Sequence, residues 1–146
     1  MRAGEHSDYN NLTTCLIEDK PGSLQARNTA GEWVEVPKVP GGFVVNIGDL
    51  MMRWTNARWK STRHRVVNPP RSSRRISMCF FVEPNHDAVI ECLPTCQGAD
   101  EPSKYSPITA GDYMIEKFAR QAKGTEWSEA DKRKFDTGDT EMRYTE

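Results

Sequence analysis

The sequence predicts a mainly β domain, a sandwich or barrel of short strands, followed by one helix. Three observations carry this. From the N-terminus to about Asn85 the chain divides into seven short apolar or alternating runs with turn residues between them. Ile76–Val82 is an unbroken run of apolar and β-favouring residues with a clear two-residue alternation. After a Pro- and Gly-containing stretch, Thr109–Ala122 switches to helical periodicity.

Each element follows from its local signals. Leu12–Ile17 is a strand. Leu24–Arg27 and Trp33–Val36 flank the turn cluster Asn28-Thr29-Ala30-Gly31 and form a hairpin. Phe43–Ile47 runs between Gly41-Gly42 and Gly48-Asp49, and Leu50–Trp54 and His64–Val67 are further strand candidates. In the last strand Ile76, Met78, Phe80 and Val82 share one wholly apolar face, which requires cover. Arg75, Ser77, Cys79 and Phe81 share the other, and burying Arg-x-Ser there is costly unless an anion meets it. Residues 85–108 read as loop. Thr109 is the expected N-cap of the helix, with Asp112 completing a capping box, and Tyr113, Met114, Phe118 and Ala122 form its apolar stripe. Gly124 is the expected stop, and residues 123–146 read as a charged tail after a domain over residues 1–122.

Composition narrows the function classes. A chain of 146 residues supports one domain with a core. Lys and Arg (20) nearly cancel Asp and Glu (21), which argues against nucleic acid or an anionic membrane as the main partner. No apolar run reaches the length of a membrane span, and the N-terminus carries no apolar signal segment, so a cytoplasmic location is expected. The cysteines are therefore read as thiols, with Cys15 and Cys79 as small core residues within strands. Cys92 and Cys96 form a C-x3-C pair. A zinc site there needs two more ligands, and only His86 is near.

The chemistry is carried by a few residues. His6-Ser7-Asp8 places an imidazole and a carboxylate two positions apart, on one side of an extended segment. The remaining histidines are His64 and His86. His64 opens a strand and can share a face with Val66, which makes it the candidate third ligand. Two histidines and one carboxylate on one face of an octahedral Fe(II) leave the opposite face open for a chelating co-substrate and O2. Arg75 and Ser77 then have a task, because a guanidinium fork and a hydroxyl two positions on can grip the far carboxylate of a keto-acid. An H-x-D or an R-x-S alone says little. H-x-D at His6–Asp8, then His64, then R-x-S at Arg75–Ser77, in that order and in an all-β setting, is specific.

Over Arg2 to about Ala122 the chain resembles the isopenicillin N synthase-like family of 2-oxoglutarate/Fe(II)-dependent dioxygenases. "RAGEHSDYNNLTTCL" is similar to the family's first metal-ligand segment, and "GGFVVNIGDLMMRWTNARWKSTRHRVVNPP" to the segment leading to its distal histidine. "RRISMCFFVEPNHDAVIECLP" is similar to the co-substrate strand, and "SPITAGDYMIEKFAR" to the closing helix. The resemblance implies a double-stranded β-helix (jelly roll), incomplete at its N-terminal side, with one C-terminal helix. It implies Fe(II) at His6, Asp8 and His64, and 2-oxoglutarate at Arg75 and Ser77. His86 falls outside the pattern and reads as an exposed loop residue. Tyr9 is a candidate substrate contact. Asn46 and Asn56 read as turn and strand geometry.

The activity so implied, of the kind found in secondary metabolism, is hydroxylation, desaturation or cyclisation of a small organic substrate, using O2 and releasing succinate and CO2. The resemblance leaves the family's N-terminal half unmatched, so the apolar face of Ile76–Val82 is expected to be a surface of association. The alternative reading is a catalytically inactive jelly-roll module, the partner or remnant of a longer oxygenase. A cupin-like protein is disfavoured because the chain has three histidines in all.

Overall fold

The computed structural model describes residues 2–18, 22–37, 39–68 and 75–123. These residues fall into two compact units, one within Met1–Met51 and Lys60–Val82, the other within Met52–Trp59 and Glu83–Glu146.

The first unit holds two antiparallel sheets. One is built from β1 (Ala3–His6), β6 (His64–Val66), β3 (Leu24–Arg27) and β4 (Trp33–Glu35), in that order. The other has β2 (Leu12–Ile17) at its centre, with β5 (Val44–Ile47) on one side and β7 (Ser77–Val82) on the other. The β3–β4 hairpin turns where expected. Glu32 N–H donates to Asn28 Oδ1 and Gly31 N–H to the Asn28 carbonyl, and Gly31 takes the positive φ (83°) that the turn demands.

In the β5–β2–β7 sheet the register decides which side chains share a face. Thr13 lies opposite Asn46 and Phe81, Cys15 opposite Val44 and Cys79, and Ile17 opposite Ser77. The even-numbered residues of β2 and β7 make the other face. Met78 (70% exposed) and Phe80 (69%) stand open there, with Leu16 and Val45 beside them. The alternation read along Ile76–Val82 is thus present, and the described residues leave its apolar face uncovered.

Two expectations in this unit are corrected. Leu50–Trp54 is not a strand but part of a short helix, α1 (Asp49–Trp54). Gly48 makes the docking of its start possible: Gly48, Asp49 and Leu50 donate N–H groups to the carbonyls of Asn11, Asp8 and Asn10, and a Cβ at Gly48 would overlap the Asn10 carbonyl. Those three carbonyls would otherwise go unpaired in a tight loop, so backbone demand overrides the apolar pattern. Cys79 is exposed rather than core, whereas Cys15 is buried, and their Sγ atoms lie 2.6 Å apart as free thiols. The Glu18 N–H to Ile76 carbonyl bond marks the hydrogen-bonded rungs, so Cys15 and Cys79 form a non-hydrogen-bonded pair, the rung where side chains approach closest.

The second unit contains the end of α1, β8 (Val89–Ile90) paired with β9 (Ile108–Thr109), a 3-10 turn (Pro94–Cys96) and α2 (Ala110–Lys123). Residues 85–108, read as loop, therefore carry one strand pair and one tight turn. Asn56 organises this segment. It is fully buried at φ 54°, donates Nδ2–H to the carbonyls of Cys96 and Pro102, and accepts from Lys104 N–H. Asparagine tolerates that left-handed backbone better than most residues. The buried Arg53 donates to the Ser106 carbonyl (2.6 Å) and lies over the rings of Tyr105 and Tyr113.

Helix α2 starts as predicted. Asp112 N–H donates to Thr109 Oγ1, and the Thr109 hydroxyl donates to Asp112 Oδ2. Its buried stripe differs from the one expected. Ala110, Tyr113 and Glu116 are buried, Met114 is half-buried, and Phe118 is exposed, while Ala122 is not buried either. Glu116 is tolerated inside because Arg120, one turn on, pairs with it. Gly124 and all but the first residue of the expected charged tail lie outside the described residues. Among the described residues no helix is long and apolar enough to cross a membrane.

Two outcomes follow from these contacts. Asn56→Ala removes three hydrogen bonds to backbone, one buried and two part-buried, and is expected to lower unfolding stability by about 3 kcal/mol. Asn56→Gly, which tolerates the backbone angle, should remain destabilised, as read from urea midpoints. At Cys15, burial first, and then the hydrogen bond and charge of Cys79, push the thiol up from 9.0 to about 12. The folded chain thus keeps this proton longer than the unfolded one. The associated stability is full below pH 9.0 and is lost as pH rises towards about 12. Cys15→Ala should flatten that decline in urea midpoints measured across the same window.

Candidate metal centre

The centre is assembled by the pairing of β1 with β6, which sets His6 directly opposite His64. The register shifts between Ala3 and His6. Such irregularities re-aim side chains at strand ends. The two imidazole rings stand 4.2 Å apart between centroids.

Each ring is oriented by its own backbone. His6 Nδ1 lies 2.7 Å from the Gly4 carbonyl and His64 Nδ1 3.0 Å from the Thr62 carbonyl. A carbonyl can only accept, so Nδ1 carries a proton in both rings, and Nε2 is the nitrogen turned to the centre. Both Nε2 atoms point to the same oxygen: Asp8 Oδ1 is 3.8 Å from that of His6 and 3.6 Å from that of His64.

Asp8 follows β1 in the turn into β2, and only 8% of it is exposed. Its second oxygen, Oδ2, accepts from the Thr13 hydroxyl at 2.5 Å and from Asn46 Nδ2 at 2.8 Å. Thr13 in turn lies 3.1 Å from Asn10 Nδ2, which also donates to the Leu12 carbonyl. A buried carboxylate is thereby supplied with donors.

The three donor atoms lie within 4.8 Å of one another. Two imidazoles and one carboxylate form the donor set that suits a divalent first-row metal with open positions, and it fits Fe(II). Among the described residues this is the one group of His, Cys, Asp and Glu side chains placed to hold a metal ion. Cys92 and Cys96 are buried free thiols outside it. His86 is exposed, with its ring over Gly111.

The two residues predicted to meet the co-substrate lie at the start of β7. Ser77 is exposed, opposite Ile17. Arg75 is half-buried, donates to the Gly22 carbonyl, and borders a cavity of about 70 Å³ lined also by Ile17, Glu35, Phe43 and Val44. Two residues that touch the centre escape a reading of the sequence. Asn46 reads there as strand geometry, and Thr13 does not stand out. The detectable signal is Asn46 inside the otherwise apolar run Val44–Ile47; Thr13, beside Thr14, carries none.

Comparison with known proteins gives this constellation its context. Residues 1–84 match the 2OG-Fe(II) oxygenase superfamily. The chain is 44% identical over 123 residues to the 2-oxoglutarate-Fe(II) type oxidoreductase hxnY of Emericella nidulans, covering 83% of this chain and 34% of that one. It is 39% identical over 116 residues to a homoarginine-6-hydroxylase of Oryza sativa, covering 78% and 35%. Its backbone superposes with a TM-score of 0.75 and 36% identity on a full-length Neurospora crassa protein solved with alpha-KG and thymine, covering 82% of this chain and 37% of that one. A rice dioxygenase for auxin oxidation gives a TM-score of 0.73 at 29% identity, covering 90% and 44%. The chain thus spans about a third of the length of the sequence relatives it matches. These similarities cover both the strands that assemble the centre and the helix after them, and the chain belongs to the 2OG-Fe(II) oxygenase superfamily.

Proposed function

We propose that this chain is the iron- and 2-oxoglutarate-binding portion of an oxygenase acting on a small organic substrate, with hydroxylation, desaturation or cyclisation as the outcome. The observation that carries this is the convergence of His6 Nε2 and His64 Nε2 on one oxygen of Asp8, with both Nδ1 protons tied to backbone. Membership of the superfamily supports it, as does the naming of its relatives as oxidoreductases and hydroxylases.

His6, Asp8 and His64 would hold Fe(II), and Arg75 with Ser77 would orient 2-oxoglutarate. With both held there, O2 would be the oxidant, taking two electrons from 2-oxoglutarate, which leaves as succinate and CO2, and two from the organic substrate. The protein's share is positional. The Gly4 and Thr62 carbonyls each hold an Nδ1–H, which fixes the ring orientation and turns both Nε2 atoms towards Asp8. The donors around Asp8 keep its charge stable in a buried place. The Arg75 guanidinium has five N–H donors, of which the Gly22 carbonyl takes one, so a planar fork remains for a carboxylate.

The test is anaerobic addition of Fe(II) and then 2-oxoglutarate to the purified chain, followed by the visible charge-transfer band of a keto-acid chelated to iron. The wild type should show the band and His64→Ala should abolish it. Arg75→Ala should need roughly 10- to 100-fold more 2-oxoglutarate, the loss expected for hydrogen bonds to a charged group. No band in a folded wild-type chain would overturn the proposal and favour an inactive module.

A further inference from the structure

We infer that Thr13 and Asn46 are positioning residues for the metal carboxylate: together they occupy Oδ2 of Asp8 and leave Oδ1 as the one oxygen turned towards His6 and His64. This rests on the metal site proposed above and adds to it how the carboxylate is held.

A carboxylate on a short side chain can offer a metal one oxygen or both, and rotation about its last bond exchanges them. Here that rotation is opposed from two strands. The Thr13 hydroxyl has one proton. Asp8 Oδ2 and Asn10 Oδ1 are both acceptors, and the proton goes to Asp8 Oδ2 because it is far closer, 2.5 Å against 3.3 Å. The Thr13 oxygen is then free to accept from Asn10 Nδ2, and Asn10 is kept in that orientation by its other N–H, which is donated to the Leu12 carbonyl at 2.7 Å. Asn46 Nδ2 supplies the second donor to the same Oδ2.

The backbone explains why these two side chains meet. Thr13 on β2 and Asn46 on β5 are directly opposed in register, so their side chains leave the same face of the sheet. The loop carrying Asp8 and Asn10 is pinned above them by the N–H groups of Asp49 and Leu50. Asn10 is 2% exposed and Thr13 3%, so water competes poorly for these hydrogen bonds. Two donors fixed on neighbouring strands, aimed at one oxygen of a buried acid, amount to a device that selects the metal-facing oxygen.

Anaerobic titration with Co(II), read by its visible absorption, tests this without turnover. Thr13→Val keeps the shape and removes the donor, and Thr13→Ser keeps the donor. Asn46→Ala removes the second donor from a different strand, so it decides the question if Thr13→Val fails to fold. Thr13→Val and Asn46→Ala should each weaken Co(II) binding by roughly 10- to 100-fold, the usual cost of losing a hydrogen bond to a metal ligand. At saturation their absorption bands should shift as the carboxylate changes its mode of binding, and Thr13→Ser should restore both affinity and spectrum. Wild-type affinity and an unchanged spectrum in folded Asn46→Ala and Thr13→Val, with binding still lost in His64→Ala, would overturn the positioning role alone. Failure of the wild type to bind Co(II) would overturn the metal site and this role together.

Discussion

Strand register is the constraint on which the rest of the site depends. His6 and His64 lie far apart along the chain, and they meet because β1 and β6 pair antiparallel at that rung. Thr13 and Asn46 meet because β2 and β5 pair at theirs. A slip of a single position in either ladder would turn these side chains to the opposite face. The geometry of the candidate centre is therefore a consequence of backbone hydrogen bonding, and no single side-chain contact could stand in for it.

The same sheet separates two environments. On one face of β5–β2–β7 lie Thr13, Asn46, Cys15, Cys79 and Ser77, a mixed surface. On the other stand the exposed apolar side chains of Leu16, Val45, Met78 and Phe80. Polar residues inside strands are costly unless partnered, and those near Asp8 are partnered. The carboxylate thus gains the donors that make its burial tolerable, and the same donors set its orientation. Stability and chemistry are served by the same hydrogen bonds.

The second unit is held together differently. Its small apolar core of Ile90, Ala110 and Tyr113 is threaded by charged and amide groups, Arg53, Asn56 and Glu116, all essentially fully buried. Each is directed at backbone or at a neighbouring side chain, so the loop segments between Pro94 and Pro107 are ordered by polar satisfaction as much as by apolar burial. This is why the expected stripe of α2 is displaced: Glu116 goes inside with Arg120 as its partner, and Phe118 stays out.

The sequence by itself determined the local features. Two-residue alternation marked the strands, turn residues marked the Asn28–Gly31 hairpin, and Thr109 with Asp112 marked the helix start. His6, Asp8 and His64, with Arg75 and Ser77, stood out as candidates by their order and spacing in an all-β chain, since H-x-D or R-x-S alone says little. What only the tertiary structure decided was everything that depends on backbone docking and cross-strand partners. Leu50–Trp54 has an apolar run that suits a strand, yet Gly48, Asp49 and Leu50 use their N–H groups on the Asp8–Asn11 loop, and a helix follows. Asn46 looked like a strand-geometry residue until register placed it opposite Thr13 and within reach of Asp8. Periodicity reports which face a side chain takes, but it carries no information about which distant strand lies alongside, because pairing is fixed by the packing of the whole sheet.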